Sequence, residues 1–216
     1  MSKMPPRKGI TKVKLKVSAQ PTHRGPLGRA KVLSPEQFDR AAEMAASTSL
    51  YGDRDQLFIL LSRFCGMRAH EIANLWLEDI TDVEGKIMDR INVSKRAAKY
   101  GKERTIRMRP EVKNALTNYV EKAEITEGPI FWSYRGTPVT SNIVQKQIKA
   151  VYVECGFKGA RSHSGRRYAI TTMAQKANTV GASLEDVKLF AGHADLSTTS
   201  AYIDESPHAE SMVGLL

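Results

Sequence analysis

Arg68, His163, Arg166, His193 and Tyr202 follow one another along the chain. They lie in three short strings, CGMRAHEIANL (65–75), HSGRRYAITT (163–172) and FAGHADLSTTSAYID (190–204), with the basic stretch KRAAKYGK (95–102) between the first two. Guanidinium and imidazole groups can grip a phosphate, and a tyrosine hydroxyl can attack one. Breaking DNA by transesterification needs such a nucleophile, neutralisation of the phosphate charge and an acid for the departing 5′ oxygen. A free phenol has a pKa near 10, so only about one in a thousand is ionised at pH 7 and a base or neighbouring cations must help it. Two guanidiniums can meet the extra charge of a pentacoordinate phosphorane with fork geometry and stay charged at any working pH. No step needs a metal, ATP or other cofactor, because a phosphotyrosine conserves the ester for rejoining. Singly, each residue has an ordinary reading: Arg68 with Glu71 as a surface pair, His163 and Arg166 on a solvated helix face, Gly192-His193 as a helix cap, Tyr202 as packing. Together they are a set of groups able to hold and attack a phosphate.

The elements that must position these groups are mostly helical. In LSPEQF, Ser34 is an N-cap, Pro35 the first helical residue and Gln37 the far end of a capping box, opening a helix through about Ala46. Residues 53–64 form a strongly apolar second helix ended near Gly66, and a third runs from about Arg68 to Leu75. KIMDRINVS (86–94) and ERTIRMR (103–109) alternate and are rich in β-branched residues, so they predict a hairpin whose tip is the cationic stretch. Helices follow over 111–123, from Thr140 or Ser141 to about Glu154, and over 163–177, 183–190 and 196–203. The expected class is mainly α with a small antiparallel β-sheet (α+β).

Composition bounds the partners. The 216 residues are 41% hydrophobic, as in a globular domain. The longest aliphatic block is LFILL (57–61), far short of a membrane span, and the charged, Pro-containing N-terminus is not a secretory signal. Cys65 and Cys155 read as buried free thiols. Of the formal charge of +10, nine units come from residues 1–33, which hold nine basic residues and no acidic one. Residues 1–32, with Lys3, Arg7, Lys8, Lys12, Lys14 and Lys16, are therefore expected to be an extended DNA-binding arm, and a solubilising tail is the plainer alternative. Arg167 reads equally as a second phosphate contact or a surface charge.

The strings resemble the tyrosine recombinases, the phage-integrase family, over about residues 33–205. CGMRAHEIANL is similar to its first-arginine motif, HSGRRYAIT to its H-x-x-R motif, AGH with Tyr202 to its closing histidine–tyrosine motif, and KYGKER (99–104) to its hairpin-lysine segment. The resemblance implies that Tyr202 is the nucleophile that forms a 3′-phosphotyrosine and that Arg68 and Arg166 bind the scissile phosphate. Lys99 would be the general acid, with Lys95 the alternative on the same hairpin. His163 would assist proton transfer at the tyrosine, His193 would hydrogen-bond the phosphate, and Glu71, on the same helical face as Arg68, would orient that arginine. It further implies site-specific integration, excision or inversion of double-stranded DNA within a homotetramer that is weakly associated or monomeric when free, with an accessory DNA-bending protein as a further partner. The setting would be cytoplasmic and nucleoid-associated, in a prokaryote, phage or mobile element. Residues 206–216 would dock on a neighbouring protomer. Two departures stand out. Gly165 replaces the commonest Leu, which is expected to cost some core contact, and only the basic arm precedes the catalytic region, where most members carry a helical clamp domain; MSKM reads as a natural start. Competing readings are a type IB topoisomerase and a non-cleaving DNA-binding factor of the same fold.

Overall fold

The computed structural model describes residues 30–98 and 103–202. Helix α1 (Pro35–Thr48) starts on the capping box: Gln37 N donates to Ser34 Oγ at 3.3 Å and Ser34 N donates to Gln37 Oε1 at 3.0 Å. Its buried stripe of Phe38, Ala41, Ala42 and Ala45 has the i, i+3, i+4, i+7 spacing of one helix face, and α1 packs on α2 (Gly52–Phe64). Helix α2 is the hub. Leu57, Phe58, Ile59 and Leu61 are fully buried, and the helix also meets α4 (Pro110–Lys122), α5 (Ser141–Glu154) and α6 (Ser164–Lys176). Thr140, rather than Ser141, caps α5 by accepting from Ile143 N. The short α3 (Ala69–Ala73) lies against α5. A smaller cluster of Ile170, Ala177, Val187 and Ala191 joins α6 to α7 (Leu184–Ala191), with Tyr202 packed at its edge beyond α8 (Leu196–Ser200).

The sheet is one antiparallel pair, β1 (Arg90–Val93) with β2 (Arg104–Arg107), in register Ile91 to Ile106 and Val93 to Arg104. The architecture is thus mainly α with a small antiparallel sheet. Both strands are shorter than the alternation suggested, because residues 86–88 fold back on the preceding turn instead: Met88 N donates to Ile80 O and Thr81 bridges Ile87. Period-2 alternation reports a half-buried strand, not its pairing partner. The third and last helices are also shorter than expected. Arg68 stands outside α3 as its N-cap, and Tyr202 follows α8 in a turn, its N–H on Thr199 O. Cys65 and Cys155 are buried and unpaired. No described helix is long and apolar enough to cross a membrane.

Candidate active site

The C-terminus of α7 organises the site. The last carbonyls of a helix have no partner within it and carry the negative end of its dipole. Here three consecutive ones each accept from a different guanidinium: Phe190 O from Arg104 Nε at 2.9 Å, Ala191 O from Arg166 at 2.7 Å and Gly192 O from Arg68 at 3.3 Å. Gly192 closes the helix at φ +60°, a left-handed turn that brings His193 straight after the arginine-bearing carbonyls. The cap and the candidate site are one structure, so the plain reading of Gly192-His193 as a helix cap is met and places His193 among the arginines.

Arg166 is buried on the first turns of α6, and among the described residues no carboxylate pairs with it. It donates to Gly66 O at 2.5 Å, to Ala191 O, and to His193 Nε2 at 3.1 Å. Burial, reinforced by the Arg68 charge, pulls its guanidinium down to about 9, still charged at neutral pH. Because a guanidinium has only donors, His193 Nε2 must accept, which places the imidazole proton on Nδ1, 3.0 Å from the buried Thr199 Oγ1. Burial and then the Arg166, Arg68 and Arg104 charges push His193 down to about 4, so it is neutral at pH 7. The Tyr202 ring stacks on the His193 ring, centroids 5.9 Å apart and planes 22° from parallel.

Glu71 is completely buried and serves two arginines. Its Oε1 accepts from Arg68 at 2.9 Å and Arg104 at 2.8 Å, and its Oε2 from the Arg68 backbone N–H at 2.7 Å and Arg104 at 2.9 Å. Burial alone would raise its pKa; the Arg104 hydrogen bonds and charge, followed by Arg68, outweigh that and hold it at about 2. The link to Arg68 is therefore an N-cap contact from outside the helix, not the expected pair on one helical face.

Gly165 departs from expectation too. A Cβ there would stand 2.5 Å from Ser62 Oγ and 3.0 Å from Arg63 N. Instead of giving up core contact, Gly165 lets α6 seat directly on the α2 backbone, a position no Leu could take without moving the helix that carries Arg166.

Arg68, Arg166, His193, Tyr202 and Glu71 thus come together from four stretches of chain. His163 is the exposed N-cap residue of α6, one turn before Arg166. Arg167 donates to Ala30 O at 2.7 Å, tying α6 to the segment just before α1, a role neither sequence alternative named. Lys95 is exposed beside β1. Lys99, the arm residues Lys3, Arg7, Lys8, Lys12, Lys14 and Lys16, and residues 206–216 lie outside the described residues. Sequence reasoning missed Arg104. The available signal was strand alternation: Ile106 points inward, so Arg104, two residues earlier, must as well.

Comparison with known proteins identifies the fold and the family. The profile of the phage integrase family matches residues 31–208. A tyrosine recombinase XerD of Staphylococcus aureus is 27% identical over 178 residues, 79% of this chain and 57% of that protein. This chain spans little more than half the length of the curated relatives it matches. Among solved structures, XerA recombinase superposes with a TM-score of 0.66 at 22% identity, over 85% of this chain and 63% of that one. A XerH site-specific recombinase bound to palindromic difH substrate also gives 0.66, at 20% identity over 86% of this chain and 52% of that one. These likenesses establish a shared fold, and with the match over most of the sequence they place the chain in the phage integrase family.

Proposed function

We propose that this protein is a site-specific DNA recombinase that cuts and rejoins strands through a 3′-phosphotyrosine. The observation that carries this reading is the buried Arg166, with no carboxylate paired to it among the described residues, held beside His193 and Tyr202, with Arg68 reaching out from the same helix end. Relatives bearing the recombinase name, and XerH solved on a DNA substrate, support it.

The scissile phosphate sits between Arg68 and Arg166. Arg166 turns an N–H now spent on His193 toward the phosphate oxygen, and His193 changes tautomer, so that Nε2–H donates to the phosphate while Nδ1 accepts from Thr199 Oγ1. Tyr202 Oη attacks phosphorus and its proton passes to His163. The P–O5′ bond breaks, and Lys99 protonates the leaving oxygen. Fixed donors aimed at the developing charge supply the acceleration. Attack by a 5′-hydroxyl on the phosphotyrosine reverses each step and rejoins the strand. The basic residues before the domain grip flanking phosphates, which would make affinity fall with salt at about 0.9 log unit per released contact. Four protomers and two duplexes form the synaptic complex, with the C-terminal residues 206–216 linking neighbours.

Covalent trapping tests the reading. The protein and its Tyr202→Phe variant are mixed with a broad library of nicked duplexes and denatured in SDS. Protein-linked DNA from wild type alone supports it. DNA binding without any adduct points to a non-cleaving factor, and supercoil relaxation with no recombinant product to a topoisomerase.

A further inference from the structure

Glu71 poses an electrostatic problem for the proposed phosphate site. A buried carboxylate 2.9 Å from Arg68 would cancel the very charge that a phosphate needs to meet. The side chain that solves the problem is Arg104. It is 8% exposed against 22% for Arg68, so Arg68 is the more accessible of the two cations. Its fork spans both Glu71 oxygens, and its Nε is taken by Phe190 O. The space above the turn is closed as well, since a Cβ on Gly192 would come within 3.1 Å of the Arg104 fork. These donors face inward, which suits a counter-charge better than a phosphate ligand.

We infer that Arg104 is a positioning residue that neutralises Glu71, so that Glu71 orients Arg68 without cancelling its charge. With Arg104 present, the Arg68–Glu71–Arg104 group carries one net positive charge, presented by the more exposed arginine. Remove Arg104 and the Arg68–Glu71 pair becomes neutral, with both Glu71 oxygens free to draw Arg68 inward. The inference rests on the recombinase reading for its substrate but concerns phosphate affinity as such.

The test is a charge cycle on the full chain, with Arg104→Gln, Glu71→Gln and the double variant. Two readouts are taken: affinity for a nicked duplex, and single-turnover adduct formation. Arg104→Gln should weaken both, adduct formation by roughly 10- to 100-fold. Adding Glu71→Gln restores the net charge of the group and should recover about 10-fold of that loss. Arg104→Lys, which keeps the charge and loses the fork, should fall between wild type and Arg104→Gln. A merely structural role predicts the reverse for the double variant, which loses two buried groups. If the double variant is no better than Arg104→Gln in either readout, the inference is overturned; the same holds if folded Arg104→Gln matches wild type. Should Arg104→Gln prove unfolded by circular dichroism, Arg104→Lys and Arg104→Lys/Glu71→Gln decide: both must retain measurable affinity, and loss of binding in either while folded overturns it. An absent wild-type adduct would sink the recombinase reading, while the binding rank order would still decide the role of Arg104.

Discussion

Arg54 and Arg166 are both buried arginines, 3% and 5% exposed, and their surroundings are opposite. Arg54 is closed off. Its fork meets Asp55 at 2.8 Å, a third donor goes to Trp132 O, and its face lies 4.4 Å from the centre of the Tyr51 ring. Arg166 is held by the Gly66 carbonyl just past α2, by the Ala191 carbonyl that ends α7 and by a neutral histidine. Helix-end dipoles offer only partial charge, so they fix the guanidinium without neutralising it. A buried charge left in that state costs stability unless something else benefits. On the proposed reading, the difference separates an arginine that serves the fold from one kept for an anion.

The sharpest way to break this comparison is to replace each arginine by methionine. Arg166→Met should lower adduct formation by about 100- to 1000-fold or more, the scale expected for losing a fixed donor to a developing oxyanion. Arg54→Met should leave cleavage per folded molecule unchanged but destabilise by about 3–5 kcal/mol, because Asp55 stays buried without its counter-charge. Urea unfolding and trapping assays on both proteins check the pair. If Arg166→Met costs more stability than Arg54→Met, the two arginines do the same job and the distinction collapses.

Gly165→Leu comes next in size. Forcing a side chain against Ser62 and the Arg63 backbone should cost about 1–3 kcal/mol by overpacking. Because α6 carries both His163 and Arg166, cleavage should fall alongside stability. Pairing it with Ser62→Gly opens space at the contact and should recover part of both, as read from melting temperature and adduct rate.

The pH dependence of stability is a separate test. His193 is depressed to about 4 and Glu71 to about 2, so below their ordinary values the unfolded chain binds more protons than the folded one. Stability therefore rises with pH. The His193 share should be lost as pH falls from about 6.5 to about 4, and the Glu71 share from about 4.5 to about 2. Urea midpoints across this range should decline in two stages, and His193→Gln should flatten the first alone.

How much of this the sequence could disclose follows from what each group does. That Arg68, Arg166, His193 and Tyr202 gather in one place was legible because the proposed chemistry needs those side-chain types and their motifs resemble a family pattern. The hub helix and the α1 capping box were legible because periodicity and caps are local. The carbonyls of Phe190, Ala191 and Gly192 were not, since every residue has a carbonyl and only the fold brings three arginines to these. Gly165 was misread for a related reason: its role lies in Ser62, on another helix and more than a hundred positions earlier. Arg104 sat inside a string read for its lysines, and the alternation that turns it inward was used to place a strand rather than to ask what a charge does on the inner face. Strand ends failed because pairing is a tertiary choice.

The central claim is that the cations of this site serve one nucleophile, Tyr202. The direct measurement is peptide mapping of the trapped adduct: digest the protein–DNA product with protease and nuclease, then locate the nucleotide by mass spectrometry. The account predicts a single modified peptide with a 3′-nucleotide on Tyr202. A nucleotide on any other residue, or a linkage to a 5′ end, would contradict it.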